Sequence, residues 1–109
     1  MTIASSTTRA AETSTTWFVY MLECAEGRIY TGIAVDVAAR FEKHCSGRGA
    51  AFTRINKPLR VMAAMPCGNR GAATQKEIYL KKLRRPSKLL WAAQWQWASD
   101  AASAAEAGR

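Results

Sequence analysis

Trp17-Phe18-Val19-Tyr20-Met21-Leu22-Glu23-Cys24-Ala25-Glu26-Gly27-Arg28-Ile29-Tyr30-Thr31-Gly32-Ile33 is the stretch that decides the fold. Its first half is dense in aromatic and branched residues, which favour an extended strand. Ala25-Glu26-Gly27 supplies a turn, with Gly27 free to take positive φ. Arg28 to Ile33 returns as a second strand. Side chains alternate along a strand, so Tyr20 goes with Phe18 and Leu22, and Tyr30 with Arg28 and Gly32. A hairpin in that register places both tyrosine rings on one face.

Working outward, Asp36 has the chemistry of an N-cap for a helix from Val37 to about Cys45. Val37, Phe41 and Cys45 recur every four residues and are expected to form its buried stripe. Arg40 and His44 share the neighbouring stripe and point the same way. Gly47 suits the C-terminal cap. Ser46 to Asn56 reads as a loop. Leu59 to Met65 is a candidate third strand, ended by Pro66 and Gly68. Asn69 caps a second helix over about 71–83, and Pro86 opens a third over about 87–98. The order β-β-α-β-α-α predicts an α+β fold, a small three-stranded antiparallel sheet flanked by helices.

Residues 1–15 are rich in Ser, Thr and Ala without hydrophobic period, and are expected to be a disordered arm. The domain is expected over 16–98, followed by an Ala-rich tail over 99–109. A chain of 109 residues accommodates one modest core.

The net charge is +8. Residues 17–98 hold fourteen Lys and Arg against five Asp and Glu, so the basic excess belongs to the folded region. Such a surface points first to nucleic acid. Three cysteines without close spacing and a single histidine argue against a structural zinc site. Free thiols in a reducing cytoplasm are the expectation. No apolar run approaches the ~20 residues of a membrane span.

Glu77 is the only acidic residue between Glu42 and Asp100, an interval with twelve Lys and Arg. A lone carboxylate in a basic stretch suits a metal held beside a polyanion. Phosphodiester hydrolysis needs a cation to stabilise phosphate charge, a group that positions or deprotonates water, and a proton donor for the leaving oxygen. Glu77 offers the metal ligand and Arg40 a bidentate phosphate contact. Tyr20, Tyr30 and His44 offer phenol and imidazole proton chemistry. Each has a plainer reading: packing tyrosines, a solvated Arg40, a histidine complementing a helix end, and a Glu77–Lys81 pair at i, i+4. Trp91 and Trp95, one turn apart, read as core rather than as base-stacking platforms.

This set, in this order, resembles the GIY-YIG nuclease superfamily. The first motif stands as Phe18-Val19-Tyr20 and the second as Tyr30-Thr31-Gly32. Arg40, four residues before His44, matches the family's helix arginine, and Glu77 its metal-binding glutamate. Phe52-Thr53-Arg54 and the run from Glu77 to Leu83 look like the small stand-alone bacterial branch related to the excision-repair nuclease domain. The resemblance spans residues 17 to about 90.

It implies a metal-dependent DNA endonuclease, directed to structured or damaged DNA in repair or recombination. Mg²⁺ or Mn²⁺ would sit on Glu77, and Arg40 would neutralise the scissile phosphate. Tyr20 or Tyr30, with His44, would activate water; the sequence leaves open which. Gly32 would let the backbone approach the substrate. Arg54, Lys81 and Lys82 are candidate phosphate contacts. The competing expectation is a catalytically weak or inactive nucleic-acid-binding module, with RNA as a further possible ligand.

Overall fold

The computed structural model describes residues 15–97. The arm expected over 1–15, but for Thr15, and the tail expected over 99–109 lie outside the described residues. The elements are β1 (Trp17–Cys24), β2 (Ile29–Ala34), α1 (Val37–Cys45), α2 (Ala51–Ile55), β3 (Pro58–Gly68), α3 (Arg70–Lys81) and α4 (Arg85–Gln94). The strands form one antiparallel sheet in the order β2-β1-β3. This is the expected α+β architecture with one short helix added.

The turn between β1 and β2 is tight because both of its central residues take positive φ, 61° at Glu26 and 75° at Gly27. That geometry matches the twist of a hairpin. Only Gly27 takes it without steric cost. The register pairs Tyr20 with Gly32 and Leu22 with Tyr30, so both tyrosines do share a face.

β1 is central, and Val19, Tyr20, Met21 and Leu22 are all at most 1% exposed. Its alternation feeds two different clusters. Val19 and Met21 join Met62, Ala63, Leu80 and Ala92 in an apolar core that also takes in Leu83 and Trp91. Tyr20, Leu22 and Cys24 join Ala34, Val37 and Val61, with Phe18, Tyr30 and Phe41 packed against them.

Four boundaries differ from the sequence reading, each for a physical reason. The stretch read as a loop over 46–56 contains α2, whose first turn is closed by the Thr53 hydroxyl donating to the Ala50 carbonyl at 2.8 Å. β3 runs past Pro66 to Gly68. Pro66 is tolerated because β3 lies at the sheet margin, where a missing N–H costs little. α3 starts at Arg70 and ends at Lys81. α4 stops at Gln94 rather than 98. Beyond it the chain lies along β3: Gln96 bridges Ala63, the Ala64 N–H donates to the Trp95 carbonyl at 3.0 Å, and the Trp97 N–H donates to the Met62 carbonyl at 3.3 Å. Trp91 is core, as expected, whereas Trp95 is 38% exposed.

The caps behave as expected. Asp36 accepts from the Ala39 N–H at 3.0 Å and Asn69 from the Ala72 N–H at 2.8 Å. After α1, the Gly47 N–H donates to the His44 carbonyl and the Arg48 N–H to the Lys43 carbonyl, with Gly47 at φ 82°. This is the paired closure of a Schellman motif.

Candidate active site

α1 buries Val37, Phe41 in part, and His44, while Cys45 is exposed. The expected stripe ending at Cys45 is thus corrected to His44. A 3.6-residue repeat aligns i, i+4 and i+7, whereas a strict four-residue step drifts off the face. His44 is 2% exposed and reaches under the sheet face that carries the tyrosines.

The Tyr20 hydroxyl lies 2.9 Å from His44 Nε2, and His44 Nδ1 lies 2.8 Å from Thr53 Oγ1. With the Thr53 bond to the Ala50 carbonyl, three buried groups form one chain from β1 through α1 to α2. The Tyr30 ring stands 5.0 Å from the imidazole and 6.2 Å from the Tyr20 ring, centroid to centroid. Phe52 closes the other side of Tyr30 at 5.9 Å. Among the described residues, no buried side-chain nitrogen or oxygen lacks a partner.

Gly32 is buried beneath these rings. A Cβ there would lie 2.7 Å from the Tyr20 hydroxyl oxygen and 2.9 Å from Tyr30 Cε2. The glycine therefore admits the tyrosines, a packing role beside the backbone approach to substrate that the sequence suggested. Gly49 is more tightly constrained: a Cβ would stand 2.1 Å from His44 Nδ1.

Glu77 lies on the buried stripe of α3, between Ala73 and Leu80 at the i, i+4, i+7 spacing. Its side chain is 19% exposed and pairs with Lys81 Nζ at 3.1 Å. α3 packs on the face opposite the tyrosines, yet the Glu77 charge acts on both hydroxyls. Arg40 is exposed at the mouth and acts on Tyr20, Tyr30 and His44. It also lines a groove of about 230 Å³ with Trp17, Val35, Asp36 and Lys43. The site is thus assembled from both sheet faces.

Burial, then the charge Tyr30 would carry if it ionised, pushes the Tyr20 hydroxyl up, against the pull of Arg40. Burial likewise raises Tyr30, opposed first by Lys81. Burial, then Arg40, lowers His44, so its imidazole is neutral at pH 7. A neutral imidazole accepts the hydrogen bond of the protonated phenol, and both shifts keep the proton on Tyr20 in the free protein.

The structure brings Tyr20, Tyr30 and His44 into contact, with Arg40, Glu77 and Lys81 near enough for their charges to act on one or both tyrosines. Arg54 is exposed on α2 and Lys82 caps α3, both without an ion pair among the described residues. Thr53 and Gly49 are the contributors that sequence reasoning missed. Among the described residues, no group of three or more His, Cys, Asp or Glu side chains converges to hold a metal. Glu77 alone offers a carboxylate here, a hard oxygen donor that suits Mg²⁺ held by one carboxylate plus water and phosphate oxygens.

A family model described as the GIY-YIG catalytic domain matches residues 16–90. The UPF0213 protein of Cupriavidus necator is 44% identical over 78 residues, covering 72% of this chain and 85% of that protein. The UPF0213 protein of Xanthomonas axonopodis pv. citri is 41% identical over 75 residues, covering 69% of this chain and 74% of that protein. A UPF0213 protein of Bacillus halodurans, solved by NMR in solution, is 37% identical with a TM-score of 0.47, over 72% of this chain and 84% of that one.

Proposed function

The chain belongs to the GIY-YIG family, a family of nucleases, and we propose that it is a metal-dependent endonuclease hydrolysing DNA phosphodiester bonds. The observation that carries this reading is the buried Tyr20–His44 contact with Arg40 and Glu77 acting on the same hydroxyl. A buried packing tyrosine needs one hydrogen-bond partner, and His44 supplies it at 2.9 Å; charges of opposite sign acting on that hydroxyl from α1 and α3 favour the chemical reading.

Arg40 binds the scissile phosphate at the mouth. Water admitted to the Tyr20 oxygen when substrate binds attacks phosphorus as its proton passes to that oxygen, and the Tyr20 proton passes to His44 Nε2. The P–O bond opposite the attacking water breaks, its leaving oxygen taking a proton from solvent. The phenol ends unchanged, and the water proton is balanced by an imidazolium. Burial, then the Arg40 charge, disfavours that imidazolium in the free protein. A phosphate on Arg40 offsets this charge, so substrate itself raises the basicity of His44. Tyr30, half-buried between His44 and Phe52, orders the water and the phosphate oxygens. Glu77 would hold Mg²⁺ or Mn²⁺, which when bound supplies charge stabilisation to the phosphate and the leaving oxygen.

Arg54, Lys81, Lys82 and Lys43 extend the cationic surface and give affinity without reading bases. The reading therefore favours structured or damaged DNA over a fixed sequence, with a place in repair or recombination. A cytoplasmic location is part of the proposal, supported by the free thiols of Cys24, Cys45 and Cys67. Among the described residues, no helix is long and apolar enough to cross a membrane.

One observation favours a second reading, a binding module with little turnover: Lys81 already neutralises Glu77. The deciding experiment incubates purified protein with supercoiled, single-stranded and branched DNA and with RNA, in Mg²⁺, Mn²⁺ or EDTA. Metal-dependent nicking supports the nuclease. Binding to these forms without nicking of any supports the module.

A further inference from the structure

We infer that Thr53 is a positioning residue which, with the Gly49 backbone, holds His44 in the Nδ1–H tautomer and leaves Nε2 as the acceptor for the Tyr20 proton. The argument is a count of protons. Thr53 carries one hydroxyl proton and two lone pairs, and a neutral imidazole carries one N–H and one acceptor nitrogen. The chain Tyr20–His44–Thr53–Ala50 admits two orders.

In the first order, the Tyr20 O–H donates to His44 Nε2, the Nδ1–H donates to Thr53 Oγ1, and the Thr53 O–H donates to the Ala50 carbonyl. Every proton has an acceptor. In the reverse order, Thr53 donates to Nδ1 and Nε2–H donates to the Tyr20 oxygen. The Ala50 carbonyl tolerates this, because it still accepts from the Thr53 and Arg54 N–H groups at 3.1 and 3.2 Å. Tyr20 does not. It is 1% exposed, and His44 is its hydroxyl's hydrogen-bond partner. In the free protein, before substrate admits water, reversal leaves the phenolic proton without an acceptor in a buried place, so the first order wins.

Gly49 borders the ring. Its α-carbon lies so close to the ring that a Cβ would fall 2.1 Å from Nδ1 and 2.8 Å from both Cε1 and Cγ. The backbone at Gly49 thus lies against the Nδ1 edge of the ring, where no side chain fits. The short helix α2 thus has a purpose beyond connection: it delivers one hydroxyl to one nitrogen.

The catalytic consequence rests on the nuclease reading above, but the tautomer does not. His44 is the only histidine in the chain, so ring-nitrogen NMR of uniformly ¹⁵N-labelled protein at pH 8 reports it without ambiguity. The expected spectrum has Nδ1 at a protonated and Nε2 at an unprotonated shift, in the wild type and in Thr53→Ser. Thr53→Val removes the acceptor and keeps the shape; Nδ1–H is then unpaired while Tyr20 still donates to Nε2, so the Nδ1–H shift and its exchange rate with solvent are expected to change. In cleavage assays Thr53→Val should lower kcat by ~10–100-fold with unchanged DNA affinity, while Thr53→Ser restores it. An Nε2–H tautomer in the wild type overturns the inference. So does Thr53→Val with the Nδ1–H shift, its exchange rate and kcat all unchanged. If Thr53→Val does not fold, the wild-type spectrum alone decides. Absence of cleavage by the wild type would count against the nuclease and leave the tautomer to stand or fall on its own spectrum.

Discussion

The two faces of β1 make an internal comparison. Val19 and Met21 point to one side, Tyr20 and Leu22 to the other, and all four are buried to the same extent. On the first side burial yields only packing, since its neighbours Met62, Ala63, Leu80 and Ala92 are apolar. On the second, burial encloses a phenol, an imidazole and a hydroxyl, and their pKa values and proton order follow from it. The same loss of water stabilises one face by about 25 cal/mol per Å² of apolar surface and prepares the other for chemistry. Apolar substitutions in the β1 packing on the first side should alter stability without altering the rate of the folded fraction, whereas removing a polar atom on the second should alter the rate far more than stability.

The largest expected effect is at Glu77, which approaches the tyrosines from the apolar side. Glu77→Ala should lower metal-dependent nicking by about three orders of magnitude, the scale of several kcal/mol of charge stabilisation. Metal-free DNA binding should persist or tighten, because a negative charge leaves a basic surface. Nicking rates in Mg²⁺ and binding titrations in EDTA check both. Rapid nicking by Glu77→Ala would remove the carboxylate from the site.

Met21→Ala sharpens the comparison from the packing face. It should lower unfolding free energy by about 2–5 kcal/mol through lost burial and a residual cavity. Urea titration measures that loss, and nicking corrected for folded fraction should stay near the wild type. A proportionate fall in corrected rate would mean that the two faces are not separable.

His44 gives a pH signature. Its folded pKa lies below the ordinary value of 6.5, because burial and Arg40 disfavour the imidazolium. The unfolded chain therefore binds the proton first as pH falls, and stability rises with pH in that window. The stability due to neutral His44 is full above about pH 6.5 and declines as pH drops below it. Thermal melts from pH 8 to pH 5 should show this decline, and His44→Gln should flatten it. A melting curve equally steep in His44→Gln would assign the acid sensitivity elsewhere.

The smallest effect is expected at Arg54. Arg54→Ala should weaken DNA binding evenly across sequences and reduce the slope of log affinity against log salt by about 1. Anisotropy titrations at several salt concentrations measure it. An unchanged slope would place the strand's path away from α2.

Much of this was legible in the sequence because it is local. Period two put Tyr20 and Tyr30 on one face. Asp36 and Asn69 announced their helices through capping chemistry. Glu77 stood out as a lone carboxylate in a basic run, and its i, i+4 partner Lys81 followed from helix spacing. The burial of His44 was obscured because Cys45 looked the better apolar residue one step on. Thr53 was hidden for another reason. Its helix is five residues long, is closed by its own hydroxyl, and gains its meaning from a contact with α1 that no local pattern encodes. Gly49 was likewise silent, since only the imidazole packed against it explains why a side chain is excluded.

The central claim is that the Tyr20 hydroxyl is chemical and its ring structural. Single-turnover nicking by the wild type and Tyr20→Phe, with DNA affinity and melting temperature measured on the same samples, tests it most directly. The account predicts a rate loss on the order of 10²-fold or more with DNA affinity unchanged, and at most about 1–3 kcal/mol of destabilisation from the unpaired His44 nitrogen. Wild-type nicking by folded Tyr20→Phe would contradict it and return the tyrosine to the core.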